Sequence, residues 1–194
     1  MGEEMRGPTH RRDPGGIMGV VLAAGAGRRY GAPKIVAGEG DWLRRSVDAL
    51  ADGGCGVVMV AMGARIVDPP DNASMLIVPG WRSGVGETVR VAATAALDAD
   101  VDGMVFHVVD TPDVGPEVTI RLLEAVGRRR DRIARVVFGG RPGHPVYIGA
   151  DHLTGVIATV AGDVGAQSYL AGRADLLRVE CGDLASGQDR DTPT

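Results

Sequence analysis

Short, largely apolar runs alternate along this chain with segments in which apolar residues recur every three or four positions. The runs at 17–22, 57–61, 75–78, 104–109 and 133–138 have strand length and β-branched content. Between them, Leu43, Val47 and Leu50 share one helical face; Val85, Val89, Ala93 and Ala96 share a second; Val118, Leu122 and Val126 share a third. The third segment also carries end signals: Pro116 suits the first helical position, Glu117 complements the positive helix end, and Gly127 can close the far end. Strands alternating with helices predict an α/β protein, a three-layer α/β/α sandwich around a mostly parallel sheet. Ligands of such sheets gather at the carboxyl ends of the strands, where the loops after Leu22 and Val109 both lie.

Composition narrows this picture. A length of 194 residues suits one domain, expected over 17–184. The stretches 1–16 and 185–194 are rich in Gly, Pro and charge with little to bury, and are expected to be poorly ordered tails. A net charge of −4 gives no reason to expect nucleic acid. No apolar run approaches the ~20 residues of a membrane span, and the N-terminus is not signal-like, so the expectation is a cytoplasmic protein. Cys55 and Cys181 are isolated and argue against both zinc and a disulfide.

The candidate chemistry concentrates where the first strand ends. Leu22, Ala23, Ala24, Gly25, Ala26, Gly27, Arg28, Arg29, Tyr30, Gly31, Ala32, Pro33 and Lys34 follow in order. Glycines let backbone N–H groups approach an anion closely, and Arg28, Arg29 and Lys34 add full charges, so the loop reads as a cradle for a triphosphate. It is not a Walker A loop, because Lys34 follows Pro33 and precedes Ile35. Nor is it a dinucleotide fingerprint: Tyr30 stands where the third glycine belongs, and no carboxylate closes the next strand for a ribose.

Other polar groups fall in connections on the same sheet. Asp110, in Asp110-Thr111-Pro112, is the first polar residue beyond the fourth strand and fits either a Mg²⁺ ligand or a cap. The loop containing Trp81, Ser83, Gly84 and Gly86 fits an anion-binding helix start or a plain capped one with Trp81 as a lid. Two further stretches, 139–147 and 161–167, read as loops with polar centres. There His144 is more readily a structural turn residue than a proton carrier, and Asp163 fits either a second metal carboxylate or the cap of a helix from Val164. His107 reads as a hydrogen-bonded core histidine.

Taken together, these segments resemble the MobA-like NTP-transferase family, and most of all its molybdenum cofactor cytidylyltransferase branch. The family's first motif, Leu-Ala-Ala/Gly-Gly-x-x-x-Arg-x-Gly-x-x-Lys, appears as Leu22, Ala23, Ala24, Gly25, Arg29, Gly31 and Lys34. Its Pro-x-Trp segment corresponds to Pro79-Gly80-Trp81, its Asp-x-Pro to Asp110-Thr111-Pro112, its Gly-His-Pro to Gly143-His144-Pro145, and its Gly-Asp-x-Gly-Ala-Arg to 162–167. The chain departs from the pattern at Gln167, where the family has arginine, at Val78, where it has asparagine, and in the short segment after Lys34. The resemblance implies a Rossmann-like sheet of the nucleotide-diphospho-sugar transferase type and a Mg²⁺-dependent nucleotidyl transfer. Lys34, Arg29 and Asp110 would be catalytic, with Asp110 and Asp163 on the metal. It also implies CTP rather than GTP, because Ala24 stands where guanylyltransferases carry a second glycine. The implied acceptor is a molybdopterin-type phosphate, with a molybdoenzyme as a candidate partner. Proteins called nicotine blue oxidoreductases in this superfamily give a second reading, an NAD(P)H-dependent oxidoreductase. A third is a non-catalytic nucleotide-binding cofactor chaperone.

Overall fold

The computed structural model describes residues 16–27 and 30–190, so Arg28 and Arg29 lie outside the described residues. Twelve regular elements follow one another: β1 (Ile17–Leu22), α1 (Asp41–Ala51), β2 (Val57–Met62), β3 (Ser74–Ile77), α2 (Val85–Asp98), β4 (Gly103–Val108), α3 (Pro116–Val126), β5 (Ile133–Phe138), β6 (Arg141–Gly149), α4 (Ala150–Thr159), α5 (Gln167–Leu170) and β7 (Leu176–Glu180). The strands form one sheet in the order β3-β2-β1-β4-β6-β5-β7. All neighbouring pairs are parallel except the two made by β6. This is the expected Rossmann-like α/β architecture.

Both faces of the sheet are covered because successive residues of each strand point to opposite sides. Val21, Val105, Ala134 and Tyr147 face α1 and α3, and Met18, Val20, Met104, Ile133 and Ile148 face α2 and α4. Except at Val85, which stands exposed at the first residue of α2, the anticipated helical stripes are buried, with Val118, Leu122 and Val126 of α3 essentially inaccessible. Burying each contributes roughly 1.5–3 kcal/mol relative to exposure. Gly127 closes α3 in the left-handed conformation, as its position at the helix end suggested. Among the described residues no helix is long and apolar enough to cross a membrane, and both cysteines are buried free thiols.

Three local readings change. The stretch 139–147, taken as a loop, is a tight Gly139-Gly140 turn followed by β6, whose Val146, Tyr147 and Ile148 fill the core. Pro142, Gly143 and Pro145 break the alternation that marks a strand, so the periodicity was hidden in the half of β6 nearest the turn. The helix expected from Val164 is the short α5, beginning at Gln167, so Asp163 caps nothing there. His107 is buried as expected, but neither ring nitrogen has a partner among the described residues, and burial pushes its pKa down to about 3. It is held neutral by apolar surroundings rather than satisfied by hydrogen bonds.

Register brings the functional loops together. Leu22 at the end of β1 lies level with Ala61 on β2 and with Val108 on β4. The loops leaving β1 and β4 therefore emerge side by side.

Candidate functional site

The loop after β1 is fastened at its start. The Ala23 amide donates to the Ala61 carbonyl at 3.0 Å, and the Ala64 amide donates to that of Ala24 at 2.9 Å. Beyond these anchors, the amides of Gly25, Ala26 and Gly27 donate to no acceptor among the described residues. Three consecutive solvent-accessible N–H groups with no acceptor among the described residues are available to a bound anion. The glycines differ in role. A Cβ on Gly25 would meet nothing within 4 Å, whereas one on Gly27, at φ +61°, would lie 1.8 Å from the Ala32 carbonyl oxygen. Gly27 is required by the turn itself, which the Gly31 amide closes onto the Gly27 carbonyl at 2.9 Å. Gly25 is the position where the backbone lies open.

Lys34 leaves this loop and donates from Nζ to Asp110 Oδ2 at 2.7 Å, both side chains being largely shielded from solvent. Asp110 follows β4 directly and its carbonyl accepts the Arg190 amide at 2.8 Å. It caps no helix, because α3 starts after Gly115. Behind it, the Asp113 carboxylate accepts hydrogen bonds from the Ser186 amide and hydroxyl and from the Gly187 amide, at 2.7–3.1 Å. The segment 186–190, within the stretch read from sequence as a tail, thus runs along the loop that carries Asp110.

The third wall is the start of α2. Trp81 packs against Gly63, where a Cβ would sit 2.5 Å from the Trp81 Cβ, and the Arg82 guanidinium stacks 4.5 Å from the Trp81 ring centre. Gly84, at φ +105°, lies beneath Asp163: a Cβ there would be 2.3 Å from the Gly162 carbonyl oxygen and 2.6 Å from Asp163 Oδ1. The Gly86 amide donates to that same Gly162 carbonyl at 2.9 Å, and Arg90 Nη2 to the Val160 carbonyl at 2.6 Å. These bonds hold the loop carrying Asp163 against the N-terminus of α2.

The three walls enclose an open cleft of about 480 Å³. Leu22 to Gly27, Lys34, Gly84, Asp110 and Asp163 line it as the sequence suggested, while Gly31, Ser83 and Gly86 do not. Gly86 instead lies against the Ala161 backbone, where no side chain would fit. Arg82 and Thr88 also line the cleft and were missed. The signal for Arg82 was its place among glycines just ahead of a helix start.

Among the described residues no cluster of three or more His, Cys, Asp or Glu side chains could hold a metal alone. Asp110 and Asp163 nevertheless share one cleft with open amides. One or two carboxylates completed by substrate phosphates and water is the donor set that Mg²⁺ prefers, so these residues fit a nucleotide-bound divalent ion.

His144, on β6, packs at a tilt against Phe106, with ring centres 5.6 Å apart and planes inclined by 57°. Burial pushes its pKa down to about 4, the nearby Arg135 adding to the effect and Asp110 opposing it. It stands in a strand rather than in the expected turn, and its Nδ1 has no partner among the described residues. Gln167, in the position of the family arginine, accepts a hydrogen bond from Arg135 Nη1 at 2.7 Å.

Residues 19–179 match the MobA-like NTP transferase domain. A nicotine blue oxidoreductase of Paenarthrobacter nicotinovorans is 30% identical, the match covering 91% of this chain and 92% of that protein. Among solved structures, Rv0371c from Mycobacterium tuberculosis H37Rv superposes with a TM-score of 0.73 at 24% identity over 93% of this chain and 95% of its own. Its manganese complex gives 0.67 at 24% identity, over 86% and 88%. A nucleotidyl transferase from Methanothermobacter gives 0.69 at 19% identity, over 86% and 87%. At these identities the structural likenesses speak for the fold.

Proposed function

We propose, from the premise that this chain belongs to the MobA-like NTP transferase family, that it transfers CMP, in preference to GMP, from a nucleoside triphosphate to a phosphate-bearing acceptor such as molybdopterin cofactor. The chain is a nucleotidyltransferase by family. The finer reading rests on one observation: the open amides of 25–27, the Lys34 ammonium and the Asp110 carboxylate meet in a single cleft at the carboxyl ends of β1 and β4.

An acceptor phosphate oxygen attacks the α-phosphorus in line, the bond from that phosphorus to the oxygen bridging to the β-phosphorus breaks, and pyrophosphate leaves with the electron pair. The Gly25 to Gly27 amides and Lys34 bind the phosphates, with Arg28 and Arg29 assigned to them by motif. Asp110 and Asp163 would hold Mg²⁺, which supplies neutralisation of the charge developing on the triphosphate. Lys34 is so placed that its ammonium can pass from Asp110 to a phosphate oxygen when the nucleotide enters. No side-chain base is needed, because an acceptor phosphate is already ionised. The residues therefore act by positioning and charge. Ala24 in place of a second glycine supports CTP, and a molybdoenzyme would be the recipient of the product.

Pyrophosphate release from CTP with purified acceptor tests this. Lys34→Ala and Asp110→Asn are each expected to lower the rate by roughly 10²-fold or more, the scale on which a preorganised electrostatic contact acts. An unchanged rate in both variants overturns the assignment.

A second reading has its own observation, the 30% identity to a protein named as an oxidoreductase. Tight NADPH binding with hydride transfer to an aromatic acceptor, and no pyrophosphate release from CTP, would favour it. CTP binding without turnover on any acceptor would favour a cofactor chaperone.

A further inference from the structure

The cleft leaves unexplained a pair of arginines farther along the sheet. Arg135 on β5 and Arg178 on β7 are register partners in adjacent parallel strands, so their side chains leave the same face about one strand spacing apart. Neither has an ion-pair partner among the described residues, although seven other arginines there do. Arg135 is half-buried. Its Nη1 donates to a neutral oxygen, Gln167 Oε1, and its Nε is shut off from solvent with no partner. Burial and the adjoining Arg178 both work against its charge, holding its pKa below the usual arginine value. A guanidinium desolvated beside a second cation is costly to keep, and an anion placed between the two relieves both penalties.

The pair is also connected to the cleft. His144 feels the charges of both Arg135 and Asp110, with opposite effect, and its Nδ1 is buried without a partner among the described residues. Phe106, Val146 and Arg135 lie level across β4, β6 and β5, which places Arg135 two strands, or about 10 Å, to the side of β4. A group bound there sits to the side of Asp110 along the sheet rather than directly over it.

We infer that Arg135 and Arg178, with Gln167 as the neutral support of Arg135, form an oxyanion subsite adjoining the nucleotide cleft. It takes a carboxylate or phosphate of the acceptor remote from the reacting phosphate. This rests on the nucleotidyl-transfer reading above. Gln167 is an apt support: an amide oxygen holds one guanidinium nitrogen in place while leaving the positive charge for a ligand, whereas a carboxylate would consume it.

The probe is inorganic phosphate, titrated calorimetrically into the full chain at constant ionic strength, with the nucleotide cleft first saturated by Mg²⁺ and a non-hydrolysable CTP analogue. Arg178→Gln, at an exposed site that should not disturb folding, and Arg135→Gln are each expected to weaken phosphate binding about tenfold, the scale of one charge-assisted hydrogen bond. Gln167→Glu should abolish it with both arginines present, because the new carboxylate occupies the site. The analogue's affinity should change less than twofold in all three. Equal phosphate binding by the parent and Arg178→Gln overturns the subsite, as does a loss of phosphate binding matched by loss of the analogue. Should the analogue fail to bind the parent while Lys34→Ala leaves an arginine-dependent phosphate site intact, the nucleotidyl-transfer reading falls and the subsite stands.

Discussion

Within the loop after β1, two glycines separated by a single alanine do different work, and this gives a test at single residues. Gly27→Ala forces a left-handed φ on alanine and drives its Cβ into the Ala32 carbonyl, and should cost about 1–3 kcal/mol in a urea titration. Gly25→Ala meets no protein atom, so its unfolding midpoint should match the parent, while nucleotide affinity drops by about tenfold because the methyl stands beside the open amides. Equal loss of stability in both variants would show that Gly25 is structural. The sequence flagged both glycines alike, since residue type reports conformational freedom and not what lies beyond the missing Cβ. For the same reason Ser83 and Gly86 looked equivalent to Gly84, and only the folded chain shows that of the three Gly84 alone lines the cleft. Arg82 was passed over because a lone arginine in a loop is ordinary until its side chain is seen stacked on Trp81 over the cleft.

At the level of elements, the segment after β7 is the one whose role depends most on distant contacts. Burial pushes the Asp113 carboxyl up, but the Ser186 hydroxyl and the Ser186 and Gly187 amides outweigh this and leave it below its usual value. A carboxylate depressed in the folded state adds stability above its unfolded pKa, about 3.9, and loses that contribution as pH falls through the folded value. Hydrogen exchange should therefore report protected amides at Ser186, Gly187 and Arg190 near neutrality, with protection lost at acid pH before the core strands open. Asp113→Ala should give the same local loss at neutral pH, and unaltered protection would mean that the Arg190 bond to Asp110 holds the segment alone. β6 was obscured for a related reason. Its prolines, glycine and histidine lower local strand propensity, and the pairing with β4 and β5 overrides them. A two-residue Gly-Gly turn after an apolar strand was the available hairpin signal.

Across the whole molecule, β4 carries the buried His107 close to the carboxyl edge of the sheet, and β6, inserted antiparallel between β4 and β5, brings the half-buried His144 there. Burial lowers them to about 3 and about 4 from an ordinary value near 6.5. The unfolded chain then binds protons that the folded chain refuses, so stability should fall as pH drops below about 6.5, by up to ~1.4 kcal/mol per pH unit for each histidine. His107→Leu should flatten that slope in denaturant titrations between pH 6.5 and 4, and an unchanged slope would place the acid sensitivity elsewhere. The sequence by itself determined the alternation of strand and helix, the core faces of α1 and α3 and that of α2 from Val89 onward, and the loops bearing Lys34, Asp110 and Asp163. Each of these follows from periodicity or from the chemistry of a few neighbouring residues. Only the tertiary structure decided that Gly162 and Asp163 lie over Gly84, that Arg190 reaches Asp110, and that Arg135 stands beside Arg178 with Gln167 as its support. These contacts join positions tens of residues apart through sheet order and register, which a local pattern does not encode.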